Sequence, residues 1–366
     1  MRTVRRLFYA DIVSAVAFVA LAFLSLFFFI DFVDELGNVG TRGYTVLNAA
    51  AYSLLLVPGH FYELVPIAVL IGAIYALARL AQTSQYTILR TGGLGPWRAL
   101  GLLTSLGLMF ALLTYAVGDY VAPQSERFAS ELQAMRKGAI RVGRSGAWIK
   151  DHAVTKDGER SYSVNIGSAE GGSQLHDVRI FEFDADGRLL RRIGAVGATV
   201  GRDSAWTLKD VRITHWAAGG ASASEERLAE FVWPSTLSAA VVAAAVLPVS
   251  TMSTLDLYRY IGHLADNEQA AQSQQIQFWK RAFYPFACLV MIGLALPFAY
   301  LSARAGGISL KVFGGIMLGI SFVLLNNVAG HLGLLRNWTP WIVAAAPSAF
   351  YMLMSFAAFS WLVRYR

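Results

Sequence analysis

Charged residues are scarce in this chain of 366 residues, in which Asp, Glu, Lys and Arg together make up 15%. Soluble globular proteins usually contain about 25% of these residues. Hydrophobic residues make up 55% of the chain, and the mean hydropathy is +0.47. The composition therefore argues against an ordinary soluble enzyme and indicates a membrane protein.

Cysteine is almost missing as well. The single cysteine, Cys288, lies inside an apolar run. One thiol cannot form an intramolecular disulfide, and it cannot supply a metal cluster that needs several cysteine ligands. The sequence therefore excludes both kinds of site within one chain.

The common motifs of nucleotide binding and catalysis are also absent from the sequence. The glycine-rich stretch 92–95 lacks the lysine of a P-loop and is followed by Pro96. None of the six histidines forms an H-E-x-x-H zinc motif, and residues 143–146 fail the spacing of a serine nucleophile motif. We therefore predict that the chain is not an enzyme. We also predict that Gly93 ends a short helix in a left-handed conformation.

Long uncharged runs, by contrast, are frequent. About 20 apolar residues cross the hydrocarbon core of a bilayer. Six regions reach that length, and the second of them is interrupted by Glu63 and by Pro58-Gly59. The six are residues 12–30, 43–78, 99–118, 282–303, 312–335 and 337–363. We predict six spans, of which the first is retained rather than cleaved and the second is one long kinked helix.

The segment 231–255 is uncharged too, but only residues 237–247 are strongly apolar. A helix over that stretch would rise about 16 Å, about half of what a span needs. Loop charges support its exclusion, because cytoplasmic loops are enriched in Lys and Arg. With six spans and both termini inside, the short outer loops hold only Arg42 and Arg336. The inner ends then hold Arg2, Arg5, Arg6, Arg79, Arg90, Arg98, Arg304, Lys311, Arg364 and Arg366.

The region between the third and fourth spans has the composition of a soluble domain. Residues 120–235 hold 16 basic and 15 acidic groups, a balance that argues against nucleic-acid binding. Strand-like alternation dominates from about 146 to 216, and a polar helical pattern follows from 253 to 281. The predicted fold is six transmembrane α-helices, three plus three, with an inserted periplasmic β-jelly-roll-like domain. The predicted limits are 1–119, 120–280 and 281–366.

The inner loop at residues 80–93 has the pattern of a short amphipathic helix. Tyr86, Leu89 and Arg90 recur at helical spacing beside polar neighbours. Such a helix could lie at the membrane surface, or it could couple the chain to a cytoplasmic ATPase by inserting an apolar ridge into a groove.

Two carboxylates fall near membrane depth, where charge is costly and often functional. Asp31 and Glu63 both lie close to the predicted outer interface, where they could equally be ordinary interfacial groups. His60 stands three residues before Glu63 and could share its helix face, but no third metal ligand is evident.

Several short motifs, in this order and spacing, resemble the LptF/LptG permease family of lipopolysaccharide export, and its LptG branch more than its LptF branch. The resemblance covers nearly the whole chain. Its segments are residues 32–36 (FVDEL), 84–93 (SQYTILRTGG), 255–261 (LDLYRYI), 278–281 (FWKR) with Pro285, 295–298 (ALPF), 324–327 (LLNN) and 346–347 (AP).

The resemblance implies a non-catalytic permease subunit of an ABC transporter in the inner membrane. It implies an LptF-like paralogue as partner, an LptB ATPase dimer that holds the ATP and magnesium, and delivery of lipopolysaccharide to LptC and LptA. This chain itself would bind no cofactor. The implied ATPase-coupling residues are Ser84, Gln85, Tyr86, Leu89, Arg90 and Gly93. The implied lipid-contact candidates are Asp31, Arg42, Phe28, Phe32, Phe322, Ile180 and Phe183.

Two positions depart from the family pattern. Gln85 stands where a Glu is usual, so a charge-assisted contact to the ATPase becomes a neutral hydrogen bond at best. Asp31 stands where some members have a Lys that meets lipid phosphates. Because a carboxylate repels phosphate, we expect that contact to come from elsewhere, such as Arg42 or the partner subunit. The alternative is that the lipid A of this organism carries different head-group charges.

Two other functions stay open at this stage. One is an ABC permease for another lipid or for lipoprotein release, although such permeases usually have four spans. The other is a periplasmic enzyme or scaffold that is anchored in the membrane and transports nothing.

Overall fold

The computed structural model describes residues 2–365 except 41–42, 94, 138–139, 142–145, 156–157, 171–173, 202–204, 217–221, 236, 238, 247–248, 268–270 and 301–306. The chain divides into two compact units. The helical unit comprises Met1–Asp34, Leu56–Ala122 and Gln272–Arg366. The sheet unit comprises Glu35–Leu55 and Pro123–Ala271.

Long apolar helices supply the membrane spans. Within the described residues, five helical segments are long and apolar enough to cross a bilayer. A sixth span is a pair of helices bent by 51°. The helices are α1 (Arg2–Leu36), α2 (Val46–Gln82), α3 (Gln85–Thr91), α4 (Pro96–Ala116), α8 (Gln272–Phe283), α9 (Phe286–Tyr300), α10 (Ile308–Leu335) and α11 (Pro340–Tyr365). With this bent pair taken as one span, the prediction of six spans is confirmed.

The fourth span differs from its predicted form. The sequence predicts one uncharged helix over 282–303, whereas the described chain runs as α8, a turn at Tyr284-Pro285, and α9. Proline has no N–H for an intrahelical bond and its ring clashes with the preceding turn, which accounts for a break here. The second span is one helix from Val46 to Gln82 with Pro58 and Pro66 inside it.

The core of the helical unit forms around α2, whose residues from Val65 to Leu80 are mostly buried. Gly72 lets α1 approach very closely, because a Cβ at this position would lie 2.6 Å from the Cα of Val16. On α4, Gly107 similarly faces Ile292 of α9. Small residues at such contacts are typical of membrane helices, which gain stability from close packing.

The sheet unit is built on seven antiparallel strands in its described part. They are β1 (Ile140–Arg141), β2 (Ala147–Thr155), β3 (Gly158–Glu170), β4 (Gln174–Phe183), β5 (Leu189–Val200), β6 (Trp206–Trp216) and β7 (Ala223–Trp233). From β3 onward each strand pairs with the next, while β1 and β2 both pair with β3. The strand β7 is an addition to the sequence prediction, which ends the strands at Trp216.

The sheet is strongly rolled. Strands β3 and β7 are four strand spacings apart, about 19 Å along a flat sheet. Yet the rings of Tyr162 on β3 and Trp233 on β7 are centred 5.5 Å apart. Trp206 packs on the same Trp233, and its indole N–H donates to the carbonyl of Leu237 at 3.1 Å. This curvature is consistent with the predicted jelly-roll-like domain.

Three helices complete the sheet unit: α5 (Ala122–Lys137), α6 (Ala239–Val246) and α7 (Thr254–Asp266). In the uncharged segment 231–255, the described helix α6 has 8 residues and packs by Val242 and Val246 against the sheet core. The segment therefore does not supply a span in the described residues, as the sequence predicts.

Candidate functional site

The short amphipathic helix predicted within residues 80–93 is present as α3 (Gln85–Thr91). A turn at Thr83 and Ser84 separates it from α2, and Ser84 adopts a left-handed backbone with φ of 59°. Gly93 follows the helix with φ of 98°, which confirms the predicted left-handed end. The guanidinium of Arg98 donates to the carbonyl of Gly93 at 3.2 Å.

The structure changes which side chains of α3 face outward. Tyr86 is buried in the core of the helical unit, and Leu89 packs against the same core. Ile88 is 67% exposed, and Gln85 is exposed beside it. The apolar side of α3 that Tyr86 and Leu89 form therefore packs against the chain's own core. This is the usual placement of the apolar side of an amphipathic helix. The backbone of Arg90 lies in α3, but its side chain is outside the described part.

Asp31 of α1 is hydrogen-bonded to His60 of α2. Its Oδ2 lies 2.7 Å from Nε2 of His60, and the ring of Phe27 stacks on His60 with centroids 5.0 Å apart. Sequence spacing instead places His60 beside Glu63, its neighbour on the same helix. The partner is set by the packing of α1 on α2, which sequence spacing does not report.

The other lipid-contact candidates lie in different places. Phe28 and Phe32 stack along α1 with centroids 6.1 Å apart, and both are half-buried. Ile180 is fully buried in the sheet core, and Phe183 is half-buried at the end of β4. Arg42 lies outside the described residues. Contact of these side chains with lipid stays a prediction.

A cavity of about 540 Å³ lies between α2, α8 and α10. Its polar wall holds Lys280, Arg281 and His331, together with one carboxylate, Glu63. Its apolar wall includes Phe322, the remaining lipid-contact candidate, which is packed edge-on against Tyr351 at 5.3 Å. The complete lining is Tyr62, Glu63, Ser273, Ile276, Gln277, Lys280, Arg281, Tyr284, Phe322, Val323, Asn326, Asn327, Gly330, His331 and Leu334.

The packing of α8 against α10 fixes the position of Lys280 in this cavity. Its Nζ donates to the carbonyl of Asn326 at 2.9 Å. A Cβ on Gly330 would lie 2.4 Å from the same Nζ, so the glycine leaves the space that the ammonium occupies. The imidazole of His331 lies 2.9 Å from the carbonyl of Asn327 on the same helix.

In the sequence, 278–281 and 324–327 stand out only as family motifs, and no local pattern predicts this cavity. The available signal is the pair Lys280-Arg281 at the start of an apolar run, together with Asn326-Asn327 inside another. Only packing shows that the two pairs share a cavity, because 44 or more residues separate them. Within the described residues, no group of three His, Cys, Asp or Glu side chains could hold a metal ion.

Comparison with known proteins decides the family. The family described as "Lipopolysaccharide export system permease LptF/LptG" matches residues 6–362. This chain belongs to the LptF/LptG family. It is therefore a multi-pass inner-membrane protein and a permease component of lipopolysaccharide export, a role that is not catalytic.

Two members of the LptF/LptG family illustrate the similarity. "Lipopolysaccharide export system permease protein LptG" of Escherichia coli K12 is 28% identical over 335 residues, which are 91% of each chain. The protein of the same name from Haemophilus influenzae is 26% identical over 357 residues, which are 97% of each chain. The relatives carry the name of the LptG branch, as the sequence motifs predict.

Proposed function

We propose that this chain is the LptG-type subunit of an ABC transporter that extracts lipopolysaccharide from the inner membrane. An LptF-like paralogue would form the other half of the permease, and an LptB ATPase dimer would bind ATP and magnesium. The extracted lipid would pass to LptC and LptA in the periplasm. Family membership and the LptG names of the relatives support this proposal.

The cavity between α2, α8 and α10 is the observation that carries the proposal for this chain. A lipid with phosphate groups needs cations for its head and apolar surface for its acyl chains. The cavity offers Lys280 and Arg281 as cations and Ile276, Phe322 and Val323 as apolar surface. With one carboxylate in the lining, it favours an anionic ligand.

This cavity also accounts for the departure at Asp31. The Asp31 carboxylate is engaged by His60 and would repel a phosphate. The cations on α8 lie on a different helix, so a phosphate contact does not depend on the residue at position 31. We assign the head-group contact to Lys280 and Arg281.

Transport of such a lipid requires an energy source. Each CH₂ removed from an apolar environment costs about 0.8 kcal/mol, so several acyl chains cannot leave the bilayer unaided. We assign the coupling to α3, with its exposed residues Gln85 and Ile88 toward the ATPase. ATP and magnesium would be bound by that partner, and this chain would need no cofactor of its own.

The orientation follows from the basic residues of the helical unit. Arg5 and Arg6 begin α1, Arg79 ends α2 and Arg98 begins α4. The N-terminal parts of α1 and α4 meet where the Tyr9 hydroxyl donates to the carbonyl of Leu102 at 3.3 Å. Under the positive-inside rule this end is cytoplasmic, which would make both termini cytoplasmic and the sheet unit periplasmic.

A lipid measurement on the purified complex tests the proposal. Replacing Lys280 by Gln should lower the lipopolysaccharide recovered per complex about tenfold, because a charge-assisted contact worth about 1.5 kcal/mol is lost. Mass spectrometry of proteins and lipids from solubilised inner membrane measures both lipid and partners. Arg336→Gln, an exposed cation at the end of α10, is the matched control.

Recovery of an LptB-type ATPase, an LptF-like chain and lipopolysaccharide would support the assignment. Recovery of a different ATPase with a different lipid would replace the cargo. Equal lipopolysaccharide in wild type, Lys280→Gln and Arg336→Gln would contradict the head-group site.

A further inference from the structure

The face of the sheet that points away from its core carries an unusual set of side chains. One cross-strand row consists of Trp148, Asn165, Arg179, Gly194, Arg212 and Arg227. The neighbouring row consists of Lys150, Ser163, Phe181, Arg192, Thr214 and Glu225. We call these two rows the basic face. Residues between them in sequence, such as Val164, Ile180 and Ile193, point into the core.

Positive charge is concentrated on the basic face. Its two rows hold five cations and one carboxylate, Glu225, whereas residues 120–235 as a whole are nearly neutral. Glu225 lies 3.3 Å from Arg212 and 3.2 Å from Arg227, and Asp177 beside the face lies 2.8 Å from Arg179. Arg192 has no carboxylate within ion-pair distance in the described part of the chain. The face therefore favours an anion.

The cations surround a depression. Arg179, Arg192 and Arg212 line a hollow of about 530 Å³ together with Gly194 and two carboxylates, Asp177 and Asp210, so that the cations still outnumber the carboxylates. Because Gly194 has no side chain, the guanidinium groups on both sides of it can converge on one ligand. A guanidinium group recognises carboxylate or phosphate with two parallel hydrogen bonds.

An aromatic platform adjoins this depression. Trp148 is 52% exposed and stacks on Phe181 with ring centroids 5.9 Å apart and an interplanar angle of 24°. The guanidinium carbon of Arg192 lies 5.8 Å from the centre of the Phe181 ring. Short polar side chains, Ser163 and Thr214, occupy neighbouring positions of the same rows. Platform, hydroxyls and cations thus lie on one surface.

We propose that the basic face binds an anionic saccharide. The flat aromatic pair matches the apolar C–H face of a sugar ring, the hydroxyl side chains match sugar hydroxyls, and the arginines match carboxylate or phosphate substituents. An acidic protein segment would match only the charge. The inference rests on the proposed function, because a lipopolysaccharide cargo carries such a saccharide outside its lipid part.

Calorimetry on the full-length protein in nanodiscs tests the proposal. The probe is the phosphorylated core oligosaccharide released from lipopolysaccharide, and a neutral glucose oligomer of similar length is the comparison. The phosphorylated probe should bind more tightly than the neutral one. Arg192→Gln should weaken its binding about tenfold through loss of a charge-assisted contact. Arg188→Gln, in the exposed turn before β5, is the control and should bind as wild type does.

Three results would overturn the proposal: equal binding of the neutral oligomer, no effect of Arg192→Gln, or equally tight binding of a glutamate-rich peptide. The lipid content of the purified complex distinguishes a failure of the proposed function from a failure of this proposal. In the first case lipopolysaccharide would be missing from the purified complex whatever the oligosaccharide does.

Discussion

Single glycines set the distance between helices in the helical unit. Gly72 of α2 faces the backbone of Val16 on α1, and Gly118, after α4, faces the ring of Tyr62. A side chain can rotate away from an added methyl group, but a backbone cannot. The contact of Gly72 is therefore the less tolerant of the two.

We predict that Gly72→Ala destabilises the protein by about 1–3 kcal/mol, the usual cost of overpacking. The added Cβ would lie 2.6 Å from two backbone atoms of Val16, so α1 and α2 must separate. Thermal unfolding in detergent measures the change. Gly101→Ala is the control, because a Cβ on Gly101 has nothing within 4 Å. Equal unfolding midpoints for the two variants would refute the close approach.

Residue partners were the least predictable feature at this scale. The sequence places His60 beside Glu63 at a spacing of three, while the structure pairs it with Asp31, 29 residues earlier. Helical spacing describes neighbours on one helix, but a hydrogen bond between helices depends on how the two helices are rotated. Lys280 and Asn326 were missed for the same reason.

At the scale of elements, α3 shows how far an amphipathic pattern leads. The pattern predicts the helix and its left-handed end at Gly93, and both are present. It does not tell whether the apolar stripe faces a partner or the chain itself. Tyr86 and Leu89 face the chain itself, which leaves Ile88 as the exposed apolar side chain.

If the proposed LptB-type ATPase docks on α3, we predict that Ile88→Asp abolishes stimulation of that ATPase while the protein stays folded. An unpaired charge in an apolar groove costs several kcal/mol. Leu89→Asp, which the sequence alone would favour as the uncoupling variant, should instead lower the yield of folded protein, because it puts a charge against the helical core. ATPase rates and size-exclusion profiles of the co-purified complexes separate the two effects. A normal ATPase rate in the complex with Ile88→Asp would show that α3 does not couple the chain to the ATPase.

The helix α7 begins with a reciprocal cap. The Ser253 side chain accepts from the backbone N–H of Asp256 at 3.1 Å, and the Asp256 carboxylate accepts from the N–H of Ser253 at 3.3 Å. Arg127 of α5 donates to the same carboxylate at 2.9 Å. Burial alone would raise the pKa of Asp256, but the hydrogen bonds from Ser253 and the charge of Arg127 outweigh it and hold this pKa below its ordinary value of 3.8.

We predict that Asp256→Asn lowers stability by about 1 kcal/mol at pH 7, the usual value of a cap. Because the pKa of Asp256 is lower in the folded protein, the ionised carboxylate stabilises the fold at pH values above the ordinary pKa of 3.8. That contribution is lost as the pH falls below 3.8 and through the lowered pKa of the folded state. The gap between variant and wild type in thermal unfolding should therefore shrink with acid. Asp266→Asn, at the other end of α7, should show no such gap at pH 7. A pH-independent gap would argue against the ionised cap.

The strand β7 shows the limit of pattern reading for elements. Its sequence, ASEERLAEFVW, holds four charged residues and no regular alternation, so it gives no strand signal. It nevertheless pairs along its length with β6. It is the last strand of the sheet and most of its residues are exposed, so its charged side chains stay in solvent.

For the whole molecule, the distribution of charge matters more than its sum. The near balance of basic and acidic groups in residues 120–235 argues against nucleic-acid binding. The sequence does not show where on the domain those charges lie. Once the strands pair, five cations fall into two adjacent rows on one face. Position along a strand assigns a face, but pairing register decides which charges become neighbours.

The sequence by itself determined the membrane class, the six spans, the inserted sheet domain and the family. Each of these depends on the length of apolar runs, on loop charge or on short motifs, all of which are local along the chain. Tertiary structure alone decided the Asp31–His60 pair, the cavity with Lys280, the inward turn of Leu89 and the basic face. These join residues that are far apart in sequence or depend on which side of an element packs inward, and only the packing of helices and the register of strands sets both.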